Sequence, residues 1–76
     1  MVKIKFIGSL AHLAGAHEIN VRISDEKPIG DILKEIIRNY ESLKEVIILV
    51  NGIRVSDDYR VKDDDEVKVF PIISGG

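Results

Sequence analysis

Pro28-Ile29-Gly30-Asp31-Ile32-Leu33-Lys34-Glu35-Ile36-Ile37-Arg38-Asn39-Tyr40 is the stretch on which the fold turns. Ile29, Ile32, Leu33, Ile36, Ile37 and Tyr40 recur at the spacing of one helical face, with Asp31, Lys34, Glu35 and Arg38 on the other. This predicts a helix from Ile29 to Tyr40. Pro28 stands where its missing N–H costs nothing, although Ser24 and Asp25 compete for the helix boundary. Gly30, in the first turn, is expected to weaken the helix only slightly. A helix with a single apolar stripe must lay it on something, and the flanking segments read as strands.

Towards the N-terminus, Val2, Ile4 and Phe6 alternate with Lys3 and Lys5, the period of a half-buried strand. Gly8 and Ser9 break it, and Gly15 closes a short apolar stretch, Leu10 to Ala14. Ile19, Val21 and Ile23 then alternate with Asn20, Arg22 and Ser24, which suits an antiparallel neighbour. Towards the C-terminus, Val46 to Val50 is a continuous apolar run, expected to be buried on both faces. Asn51-Gly52 and Ile53-Arg54-Val55 follow it, the signature of a type I′ hairpin. Ser56 to Asp65 is a polar connection with Tyr59 and Val61 as its anchors. Val67-Lys68-Val69-Phe70 forms the last strand, and Pro71 falls near its end, where a missing donor is tolerated. The expected architecture is α+β, one helix on one face of a mixed sheet. Ile4, Phe6, Val21, Ile32, Leu33, Ile36, Val67 and Val69 are its expected core.

Composition narrows the function. Seventy-six residues make one small domain. There is no cysteine, which removes disulfides, a thiolate nucleophile and zinc-thiolate sites. With 13 acidic and 11 basic residues, the net charge of -2 gives no reason to expect nucleic acid or an anionic membrane as partner. Neither a signal peptide nor a stretch of ~20 apolar residues is present, so a cytoplasmic protein is expected.

Few residues offer chemistry. Asp57, Asp58, Asp63, Asp64, Asp65 and Glu66 lack the spacing of a calcium loop and read as a solvated turn. His12 and His17 have no partners for a metal site or a catalytic dyad. Gly8 and Gly15 are isolated, so no phosphate loop exists. If Val67 and Val69 face the helix, Phe70 shares the outward face of Lys68, as Ile7 shares that of Lys3 and Lys5. Gly75-Gly76 closes the chain; taken alone, such a pair could be no more than a frayed end.

Leu49-Val50-Asn51-Gly52, Asp64-Asp65-Glu66-Val67 and Val69-Phe70-Pro71-Ile72-Ile73-Ser74-Gly75-Gly76 resemble the MoaD/ThiS family of sulfur carriers, as does Phe6 through Gly15 with Leu10 and Leu13. The Phe70-Pro71 pair is more similar to the small subunit of molybdopterin synthase than to the thiamine-pathway carrier. Two positions depart from the family pattern. Asp64 replaces the usual glycine of its turn, and Ala11-His12 replaces an Arg-Glu pair in the first loop.

The resemblance implies a ubiquitin-like β-grasp domain over residues 1–72 and a flexible tail over 73–76. In that fold the first and last strands are parallel neighbours, which brings Ile7 and Phe70 together at the root of the tail. They form either a docking surface or a strand end covered by the chain's own loops. The family's chemistry lies at the C-terminal carboxylate, here Gly76, with Gly75 and Ser74 leading to it. An ATP-using, ubiquitin-activating-type adenylyltransferase would form an acyl-adenylate there, and sulfur would then give a thiocarboxylate. The implied partners are that enzyme and the large subunit of molybdopterin synthase, with Phe70, Pro71 and Ile7 as contacts. The implied chain is a carrier with no bound cofactor, no metal and no catalytic residues. The alternatives are a ubiquitin-like modifier joined through Gly76 to target-protein lysines, a thiamine-pathway carrier, or an interaction module without tail chemistry.

Overall fold

The computed structural model describes residues 1–43 and 45–72, so the expectations for Ser74, Gly75 and Gly76 lie outside the described residues. The chain runs β1 (Val2–Phe6), α1 (Leu10–Ala14), β2 (Glu18–Val21), β3 (Lys27–Pro28), α2 (Ile29–Ile36), a 3-10 turn (Tyr40–Ser42), β4 (Val46–Val50), β5 (Ile53–Val55), β6 (Arg60–Val61) and β7 (Glu66–Pro71). The main sheet has the order β2-β1-β7-β4-β5, and β3 and β6 form a separate two-stranded ribbon. β1 and β7 are parallel at the centre, and the other pairs of the main sheet are antiparallel. This is the expected mixed sheet, with Val2, Ile4, Phe6, Ile48, Val50, Val67 and Val69 in one core with Ile29, Ile32 and Leu33 of α2.

The helix is shorter than its period predicts. It ends at Ile36; Ile37 is extended, although its N–H still donates to the Leu33 carbonyl at 2.8 Å. Asn39 takes a left-handed conformation at φ 63°, and the 3-10 turn follows. Ile37 and Tyr40 are nonetheless buried. Their i, i+3 spacing serves a 3-10 turn as well as an α-helix, so periodicity alone could not locate the break.

Three burial expectations are corrected. Val21 and Ile36 are only half-buried, one on the edge strand β2 and the other in the last turn of α2. In β4 only Ile48 and Val50 are fully buried; Ile47 and Leu49 are half-buried on the face turned away from the core, and Val46, at the start of the strand, is half-buried against the core. The polar connection after β5 is also more structured than expected. Val61 is fully buried in the ribbon with β3, whereas Tyr59, its other expected anchor, is 40% exposed.

Two loops explain the ends of the elements. Pro28 caps α2 without a side-chain bond, and the loop before β6 supplies acceptors instead. The Ile29 N–H donates to the Tyr59 carbonyl at 2.8 Å and the Gly30 N–H to that of Asp57 at 2.9 Å, satisfying two of the helix's free donors. At the opposite pole, Asn51 and Gly52 have φ 51° and 85°, as a type I′ turn requires. Asn51 then ties this hairpin to the acidic turn, donating to the Asp65 carboxylate at 3.0 Å and accepting the Glu66 N–H at 3.0 Å. Asp64 adopts φ 74°, so it fills a left-handed position in which a glycine would be unstrained.

Candidate functional site

β7 runs out of the sheet at Pro71, and Ile72 beyond it is 38% exposed. The residues that follow β1 decide what surrounds this exit. The Ile7 N–H donates to the Val69 carbonyl at 3.0 Å, extending the parallel ladder by one bond. The chain then turns at Gly8, φ 62°, and enters α1. A Cβ at Gly8 would stand 3.6 Å from the Pro71 ring, so this loop packs along the root of the exit. Leu10 and Ala11 of α1 are buried beneath it. Ala11 is thus part of the core, while His12 is exposed beside it.

The register fixes what stands on the outer face. Phe6 pairs with Val69, both buried, so the next pair along β1 and β7 is Ile7 beside Phe70. On the other side of β7, Phe70 is opposite Ile47. Ile7, Phe70 and Ile47 therefore form one row across three strands, next to Pro71. Ile7 is 39% exposed, and Phe70, Pro71 and Ile47 are half-buried. Both residues that strand alternation assigns to the outer face are there, side by side. Ile47 and Leu49 were missed, because their run carries no alternation of polar and apolar residues. The signal that could have found them is the antiparallel pairing with Lys68 and Phe70, whose outward direction is legible.

Among the described residues no group of three or more His, Asp or Glu is placed to hold a metal. The acidic turn is spent on its own geometry and on the N-terminus: the Met1 ammonium lies 2.9 Å from Asp63 and 3.0 Å from Asp64. Those hydrogen bonds raise the ammonium pKa above its usual 8.0. A groove of about 1100 Å³ lies on the helix side of the exit, lined by Tyr40, Leu43, Val46, Asp57 and Ile72 among others. Its Tyr40 hydroxyl donates to Asp57 at 2.9 Å, and burial first, then that bond, pushes the phenol well above its usual range. A phenol so held stays protonated and ties a loop to the helix end, which is a structural task. No helix among the described residues is long and apolar enough to cross a membrane.

Known proteins share this design. The chain matches the model of the ThiS family over residues 4–76. It is 28% identical to the molybdopterin synthase sulfur carrier subunit of Chlamydomonas reinhardtii, covering 99% of this chain and 98% of the relative. A solved structure assigned as molybdopterin converting factor subunit 1 from Pyrococcus furiosus is 32% identical, covers 95% of this chain and 97% of its own, and superimposes with a TM-score of 0.71. SAMP1 from Haloferax volcanii, at 23% identity with 99% and 98% covered, shares the fold with a TM-score of 0.76.

Proposed function

We propose that this chain, which belongs to the ThiS family, is a sulfur carrier that works through the C-terminal carboxyl group of Gly76 in the synthesis of molybdopterin. The observation that carries the reading is the match to the family running through to the Gly75-Gly76 ending. The names of the algal and archaeal relatives support the molybdopterin assignment over the thiamine one.

The chemistry needs little from the folded body. An oxygen of the Gly76 carboxylate attacks the α-phosphorus of ATP in the activating enzyme, and pyrophosphate leaves. A sulfur donor at the oxidation level of hydrosulfide then attacks the acyl carbon, and AMP leaves with the C–O electron pair. The product is a thiocarboxylate, which the large synthase subunit would consume. Glycines suit the approach, since without Cβ atoms they thread a narrow channel and adopt both signs of φ. The domain presents the tail and offers Ile7, Phe70 and Pro71 at its root, so catalytic groups belong to the partners.

Intact mass tests this reading. After incubation with ATP, a sulfide donor and the cognate activating enzyme, the chain should gain sulfur in exchange for one oxygen. An adduct on lysine side chains of other proteins would assign it to the modifiers instead, and an unchanged mass would remove the carrier reading.

A further inference from the structure

The outer face of the sheet carries a row of charge that neither the fold nor the tail chemistry requires. Lys5 and Lys68 are register partners on the parallel central strands. Leu49 is opposite Lys68, Arg54 is opposite Leu49, and Glu18 is opposite Lys5 at the other end. The row therefore reads Glu18, Lys5, Lys68, Leu49, Arg54: three cations and one carboxylate, an excess of two positive charges in a chain whose net charge is -2. One step further from the exit, Lys3 lies 3.9 Å from the Glu66 carboxylate. One step nearer stands the apolar row of Ile7, Phe70 and Ile47.

Among the described residues, Lys5, Lys68 and Arg54 make no ion pair, whereas Lys27 and Lys34 on the helix side each have a glutamate within 3.4 Å. Even Glu18, beside Lys5 in register, does not close one. Like charges directly opposite one another on neighbouring strands destabilise a sheet. Carboxylates brought from outside would relieve that repulsion.

We propose that the cationic and apolar rows are one docking surface, and that its partner is a protein with an apolar recess edged by carboxylates on the side away from the tail. The inference rests on the carrier reading, in which the tail must be delivered into another protein's site. The apolar row would seat at the recess beside the tail entrance, and the cations would steer the approach and fix its orientation. A nucleic acid would engage the cations but leave Ile7, Phe70 and Ile47 without a role, and the negative net charge opposes it.

The test is association of the full chain with the cognate large synthase subunit, measured at about 50 mM and about 500 mM salt, where screening lengths differ severalfold. Wild-type affinity should fall as salt rises. The Lys5→Glu/Lys68→Glu double variant should bind about ten-fold or more weakly at low salt and lose the salt dependence, as expected for charges that steer and orient an encounter. Arg38→Glu/Lys62→Glu makes the same change of net charge elsewhere on the exposed surface and should bind nearly as wild type. Circular dichroism should show both double variants folded; if the first is not, Lys5→Gln/Lys68→Gln removes the charge without reversing it and should show the same loss in part. Tight binding that ignores both the reversal and salt would overturn the docking surface while the carrier reading stands. Binding of a single-stranded RNA that the Lys5/Lys68 reversal abolishes would overturn the assignment to a protein partner. A wild-type chain that neither binds the subunit nor acquires sulfur would end both readings together.

Discussion

A methyl group at position 30 would sit 2.9 Å from the Asp57 Cβ and 3.0 Å from the carbonyl oxygen that accepts the Gly30 N–H. Alanine is the better helix former by about 1 kcal/mol, yet here it would push a backbone loop away from the helix start. Gly30→Ala should therefore destabilise the domain by about 1–3 kcal/mol, the range of overpacked sites, read from a denaturant midpoint; a stabilised variant would show that the loop yields freely. The periodicity around Gly30 was legible, but its contact was not, because it comes from a loop twenty-seven positions along the chain. Met1 offers a second test at this scale. Its ammonium pKa is raised by Asp63 and Asp64, so the contribution of that contact to stability is fully present below pH 8.0. It is lost as pH rises through the higher folded value. Neutralising both aspartates as asparagine should remove that alkaline decline, and thermal melts between neutral and alkaline pH would report it.

Elements were legible where one face differed from the other. β1 and β7 alternate strictly, and so their inward residues and the outward placing of Ile7 and Phe70 could be read from sequence, while their parallel pairing came from the family resemblance. β4 could not, since its outer face is itself apolar. The end of α2 could not either, because Ile37 and Tyr40 keep the helical spacing through a turn of another kind. These distinctions carry measurable consequences. Ile32 is 1% exposed and central to α2, so Ile32→Ala should cost about 2–5 kcal/mol. Ile36→Ala, at a half-buried site, should cost clearly less. Equal losses would mean that the last turn packs as deeply as the middle. Phe70 is half-buried on the outer face, so Phe70→Ala should fall well short of the about 3–5 kcal/mol typical of a core phenylalanine. Its larger effect should appear in association with the synthase partner.

At the scale of the whole molecule, the sheet places its two poles far apart in character. One holds Asn51, the acidic turn and the N-terminus, a closed set of hydrogen bonds and ion pairs. The other holds the exit of β7, with apolar side chains at its root. Membership of the family was legible from the resemblance of the last residues, and the match to the family model runs through them to residue 76. The cationic row was not, because it exists only once five residues from five strands are set in register. If the body only presents the ending, changes beyond Ile72 should leave folding untouched and still decide activity. Gly75→Val should impair sulfur transfer with an unchanged melting temperature, since a β-branched side chain stiffens and widens the approach. The most direct measurement is a sulfur-transfer assay with the activating enzyme and the large synthase subunit, on the chain lacking Gly75 and Gly76. Transfer should vanish while thermal stability matches that of the full chain; full transfer without the two glycines would contradict the account.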